Sequence, residues 1–216
     1  MKKRIKKILL HIVLPLGCFL TPILFFLSFP PEASAADELS QKLLRFHVVA
    51  NSDSQEDQAV KLQVKEKILS LLSPSLAYAE TKEEAKEIIS ANMEAITETA
   101  QNTLRENGFS YSAAASLCWC DFPVKTYGDL TFPAGTYEAL RIVLGEGAGK
   151  NWWCVMYPPL CFVDVSFGTV PDQSKAALSH LLTDDTYDSL NSRETSPVRF
   201  RFKLFSFLNR FFWPDS

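Results

Sequence analysis

The apolar positions divide the chain into three textures. Ile8 to Phe29 is one long apolar run behind a basic start. From Asn51 to Asn107 apolar residues recur at helical spacing, and from Phe109 onward short alternating segments rich in glycine, proline and aromatics predict strands. Ahead of the helical region, Leu43 to Ala50 is β-branched and apolar, with Arg45 and His47 on one face, and predicts a strand. Ser52 with Gln55 has capping-box spacing and opens a helix whose stripe is Val60, Val64, Ile68, Leu71 and Leu72, with Pro74 as its stop. Thr81 with Glu84 opens a second helix that carries Ala85, Ile88, Ile89, Met93, Ile96, Ala100 and Leu104 as far as Asn107-Gly108.

Phe109–Phe122 and Thr136–Leu144 predict strands, with turns at 125–128 and 133–135 and a flexible loop at 145–150. Asn151–Tyr157 and Leu160–Val165 predict a further pair around Pro158-Pro159, and residues 172–182 a short helix. Val198–Leu204 alternates as a strand does, and Phe205–Trp213 is aromatic with one charge, Arg210. The expected fold class is α+β: a mostly antiparallel β-sheet with two long helices packed on one face, preceded by an N-terminal signal peptide. The expected division is a signal peptide over 1–35, an extracytoplasmic domain over 36–182, a linker over 183–197 and a tail over 198–216.

Charge changes the picture at the N-terminus. The formal net charge is −3, yet Lys2, Lys3, Arg4, Lys6 and Lys7 all lie in the first seven residues. Beyond residue 35 the chain holds 17 basic and 24 acidic side chains, a balance of −7 that argues against a nucleic-acid partner. The basic start, the apolar run and the Ala33-Ser34-Ala35 tripeptide predict an export signal, with signal peptidase acting at Ala33 and Ala35 and the mature chain starting at Ala36. The run is also long enough to span a bilayer, so a retained anchor is the alternative. Either way, residues 36–216 are expected outside the cytoplasm.

Candidate chemistry is sparse. Beyond the signal, His47 and His180 lie far apart in sequence, no G-x-S-x-G elbow occurs, and His47 reads as a packed, hydrogen-bonded histidine rather than a base. The Gly145–Lys150 loop lacks the pattern of a phosphate loop, since Leu144 and Asn151 stand where glycine and a hydroxyl residue are needed. No cofactor or metal is expected. Cys154 and Cys161 flank the Pro158-Pro159 turn and are the disulfide candidate in an oxidising compartment. Cys118 and Cys120 share one strand face on a backbone that reads as too extended for easy bridging. A four-cysteine zinc site is the competing reading, with poor spacing for it.

Four blocks then stand out in order: Phe46-His47-Val48-Val49-Ala50-Asn51-Ser52-Asp53-Ser54 with Asp57-Gln58 and Lys61-Leu62; Lys125-Thr126-Tyr127-Gly128; Pro133-Ala134-Gly135-Thr136-Tyr137-Glu138-Ala139-Leu140-Arg141-Ile142; and Asn151-Trp152-Trp153-Cys154-Val155-Met156-Tyr157-Pro158-Pro159-Leu160-Cys161-Phe162. Together they resemble the stage II sporulation protein R family over roughly residues 43–165. The resemblance implies a signal rather than an enzyme. It implies export from the forespore into the space between the forespore and mother-cell membranes. There such a protein activates a membrane-embedded aspartic protease that removes the pro-sequence of sigma-E. The implied partner is the extracytoplasmic part of that protease, close to the membrane. Partner-contact candidates are Asn51, Ser52, Asp53, Arg141, Trp152 and Trp153. The alternatives are an exported envelope hydrolase and a peptidoglycan-binding module.

Overall fold

The six residues of β1 (Leu44–Val49) are all buried, because a strand covered on both faces has no solvent side on which to place polar groups. The computed structural model describes residues 35–162 and 169–191. Around β1 lies a four-stranded sheet in the order β2 (Ala113–Phe122), β5 (Gly135–Leu144), β1, β6 (Asn151–Tyr157). A two-stranded hairpin, β3 (Lys125–Tyr127) and β4 (Leu130–Phe132), stands apart from it.

The helices are α1 (Ala35–Lys42), α2 (Gln55–Leu76), α3 (Lys82–Ala91), α4 (Met93–Glu106), α5 (Asp172–Leu181) and α6 (Asp184–Asn191). Phe46, Val48, Leu140, Ile142 and Leu144 meet the stripe of α2 (Val60, Val64, Ile68, Leu72), with Ile89 of α3 and Ile96, Ala100 and Leu104 of α4. The opposite face carries a second cluster. There Tyr137, Ala139 and Val155 pack with Phe122, with the hairpin's Leu130 and Phe132, and with Leu39, Leu178 and Leu190 of α1, α5 and α6. One sheet therefore separates two cores.

The architecture is α+β, but the sheet is mixed where a mostly antiparallel one was expected. β1 pairs in parallel with β5 (His47 opposite Arg141) and antiparallel with β6 (His47 opposite Trp153), while β2 and β5 are antiparallel. The reason is the helical excursion. Two passes over one face, α2 away and α3–α4 back, return the chain to the end where β1 finished. There the Tyr111 hydroxyl reaches Asp57 at the start of α2 (2.5 Å). β2 then runs down and β5 runs up beside β1.

Other boundaries also move. Ser54, not Ser52, caps α2 by accepting from the Asp57 N–H (3.1 Å). Pro74 lies inside α2, which continues to Leu76: proline costs the helix one N–H bond and a clash with the carbonyl four residues back, and here only the last half-turn lies beyond it. The expected second long helix is two helices, broken at Asn92 (φ −102°, ψ 10°), whose side-chain amide donates to the Ile88 carbonyl (2.7 Å). Residues 125–127, expected as a turn, pair with β4 as a strand. The stretch expected as a linker is helical from Asp184 to Asn191, and Leu190 is fully buried in the second core. The expected strand at 160–165 and the tail at 198–216 lie wholly or partly outside the described residues, as does Ala33, whereas Ala35 and Ala36 open α1.

Candidate functional site

β1 and β5 end at the same rim of the sheet, where the 51–54 loop meets the 145–150 loop. Asn51 and Ser52 both donate to Asp57 Oδ2 (2.9 and 2.5 Å), and Tyr111 donates to Asp57 Oδ1 (2.5 Å). Burial alone would raise the Asp57 pKa, but the bonds from Ser52, Tyr111 and Asn51 outweigh it and hold this carboxyl below the usual range. The Asn51 side-chain oxygen accepts from the Glu146 N–H (3.0 Å), and Asp53 accepts from the Lys150 N–H (2.7 Å). The backbone adds Ala148 N–H to the Asn51 carbonyl (3.1 Å) and Gly149 N–H to the Ala50 carbonyl (2.9 Å). Gly145 takes a left-handed φ of +55° against the Asn51 side chain, which leaves no room for a Cβ. Asn51 and Asp53 thus tie the 51–54 loop to the 145–150 loop, while Ser52 is tied to the start of α2 through Asp57 and Gln58.

Arg141 and Trp153 sit elsewhere and together. They flank His47 from its two neighbouring strands on the second face of the sheet. Arg141 is exposed and Trp153 half-buried. The His47 ring stacks on Trp153 (centroids 4.8 Å apart, 7° between planes) and touches Phe122 at 5.2 Å. Neither His47 ring nitrogen has a hydrogen-bond partner among the described residues. Burial first, then Arg141 and Arg45, push the His47 pKa down to about 4, so the ring is neutral at ordinary pH. His47 is packed as expected, but the hydrogen bonds expected of a packed histidine are absent among the described residues, its ring being held by stacking instead.

One feature is not visible in the sequence: Arg45 is fully buried. Its Nε donates to the Cys154 carbonyl (2.9 Å) and its Nη2 to the Tyr127 hydroxyl (3.2 Å). Its guanidinium lies over Phe122 (4.4 Å) and Tyr137 (4.9 Å), an aromatic box in place of a carboxylate. Burial lowers the Arg45 pKa from its ordinary value, while Tyr127 and Tyr137 oppose the shift. The alternation of β1 revealed the face on which Arg45 lies, but its ring partners are some 80 to 90 positions away.

Trp152 points to the other face, edge-on to Phe46 (5.6 Å) and under the Lys65 ammonium (5.1 Å). Cys154 and Cys161 are joined as a disulfide, which removes two ligands from the zinc alternative. Among the described residues, a cleft of about 540 Å³ runs along the outer edge of β6. It is lined by Lys65, Leu69, Tyr127, both tryptophans and the Cys154–Cys161 bridge. The structure therefore groups Trp152 and Trp153 at one strand edge, sets Arg141 nearby beyond His47, and separates Asn51, Ser52 and Asp53 from them.

A sheet whose polar loops and disulfide serve its own scaffold, with an aromatic cleft along one edge, defines a domain that presents a surface. Residues 40–167 match the family described as stage II sporulation protein R. Over 156 residues the chain is 33% identical to the Stage II sporulation protein R of Bacillus subtilis (strain 168), covering 72% of this chain and 70% of that relative. The chain belongs to the stage II sporulation protein R family. No solved structure matches it.

Proposed function

We propose that this chain is the exported sporulation signal that activates the mother-cell membrane aspartic protease acting on pro-sigma-E. It works as a binding partner rather than a catalyst. The observation that carries this reading is the β6 edge. The tryptophan block lies within the family match, and it lines a cleft whose aromatic side chains are half-exposed rather than sealed in a core. Partly exposed tryptophan, with an exposed arginine one strand further on across His47, is the composition of a protein-binding hot spot. The Cys154–Cys161 bridge fixes the turn that ends this edge, and a persistent disulfide suits an extracytoplasmic compartment. The surface of Trp152, Trp153 and Arg141 binds the active form of the protease more tightly than the inactive form, the condition for any ligand to shift such an equilibrium.

The test is reconstituted processing. The protease and pro-sigma-E are co-expressed in a non-sporulating host with or without this chain, its export signal intact. Pro-sequence removal only when the chain is present is the expected result. Trp153→Ala and Arg141→Ala should each lower the yield of processed sigma factor about tenfold or more, as truncation of a hot-spot residue does. Absence of processing with folded, exported chain overturns the reading and shifts weight to envelope hydrolysis or peptidoglycan binding.

A further inference from the structure

β2 is an edge strand, and Cys118 and Cys120 lie on its second face, both half-exposed. Extension was expected to keep them apart. Two rises of about 3.3 Å place such Cα atoms roughly 6.6 Å apart, just inside the upper limit of about 6.8 Å for a disulfide. The structure uses that margin: the two Sγ atoms are 2.6 Å apart. Both cysteines are free in the structure, yet their sulfurs lie closer than two non-bonded sulfurs rest, though longer than the roughly 2.05 Å of a formed bond. Among the described residues, no group of three or more His, Cys, Asp or Glu side chains is placed to hold a metal.

We propose that Cys118 and Cys120 form a reversible two-electron redox site that exchanges with low-molecular-weight disulfides. The Cys118 thiolate attacks an external disulfide, RSSR, forming a mixed disulfide and releasing one RS⁻. The Cys120 thiolate then attacks the Cys118 sulfur, closing the Cys118–Cys120 bond and releasing the second RS⁻. The protein loses two electrons and two protons, and RSSR is reduced to two RSH. Burial and then contact with Cys118 push the Cys120 thiol up, while Arg141 opposes that shift; the bond that closes is the same whichever of the two sulfurs attacks first. Exposure on an edge strand makes the resulting bond the more reducible of the two in the chain, since Cys154 is buried. The site adjoins Arg141, but the inference does not depend on the proposed function.

The sequence makes the test direct. Trypsin yields one peptide, residues 106–125, holding both Cys118 and Cys120, and another, 151–175, holding both Cys154 and Cys161. The native full chain is equilibrated across ratios of reduced to oxidised glutathione, acid-quenched, alkylated under denaturing conditions and digested. Peptide 106–125 should pass from two alkyl groups to none, with loss of two hydrogens. Its midpoint should lie at a glutathione ratio about tenfold or more oxidising than that of peptide 151–175. Cys118→Ser and Cys120→Ser should each leave a single thiol that accumulates as a glutathione adduct. Double alkylation of 106–125 across the whole range, glutathione on both cysteines at once, or coincident midpoints for the two peptides overturns the proposal. These outcomes are read on the unsubstituted protein, so misfolding of a variant does not decide them.

Discussion

His47 has its folded pKa depressed to about 4 against an ordinary 6.5, so the unfolded chain binds its proton first as pH falls. Its contribution to stability is present above pH 6.5 and is lost between 6.5 and about 4. At roughly 1.4 kcal/mol per unit, that loss amounts to about 3 kcal/mol. Between pH 6.5 and 5 no shifted carboxylate contributes, because Glu38 and Asp57 titrate below their ordinary acid values in the fold. Urea midpoints at pH 7 and pH 5 should therefore differ in the native chain and converge in His47→Phe. Asp57 makes a separate case. Truncation in Asp57→Ala removes the shared acceptor of the half-buried donors of Asn51, Ser52 and Tyr111, an expected cost of about 1–3 kcal/mol in thermal unfolding. The role of Asp57 was not legible, because an acid in the first turn of a helix reads as a dipole partner wherever its side chain goes.

At the scale of elements, α2 shows how far periodicity carries. Val60, Val64, Ile68 and Leu72 are buried as their spacing predicted, but Leu71, assigned to the same stripe, is 37% exposed. Ile68→Ala should cost about 2–5 kcal/mol through the cavity it leaves, whereas Leu62→Ala, at a position 46% exposed, should stay within about 0.5 kcal/mol. Chemical denaturation of the two variants separates them. The Cys154–Cys161 bridge closes a loop with a sequence separation of 7. Its removal in the double serine variant should lower stability by about 2–3 kcal/mol, the chain-entropy value for so short a loop. That pairing was legible because both cysteines flank one turn. The break at Asn92 was not, because apolar spacing runs through it undisturbed and only a side chain bonding back to Ile88 marks it.

For the whole molecule, the sequence revealed that helices come early and strands late, but not which strands meet. Neither the parallel pairing of β1 with β5 nor the box around Arg45 leaves a local trace, since both join residues far apart in the chain. The candidate surface was legible in part. Trp152, Trp153 and Arg141 lie on or near the β6 edge, while Asn51, Ser52 and Asp53 lie apart from them and bond within the fold, a difference hidden in sequence because polar residues beside a helix cap and beside a partner look alike.

The central position of β1 has a consequence for the order in which the chain matures. Both strands that flank β1 come from residues 135–157, some ninety positions downstream, while the elements between are helices, the far-edge strand β2 and the separate β3–β4 hairpin. A chain emerging N-terminus first, from a ribosome or through a membrane channel, thus carries its innermost strand bare for most of the passage. Local helices form meanwhile, but cooperative closure waits for the last strand, as long-range pairing requires. The innermost strand is thus the first to be made and among the last to be paired.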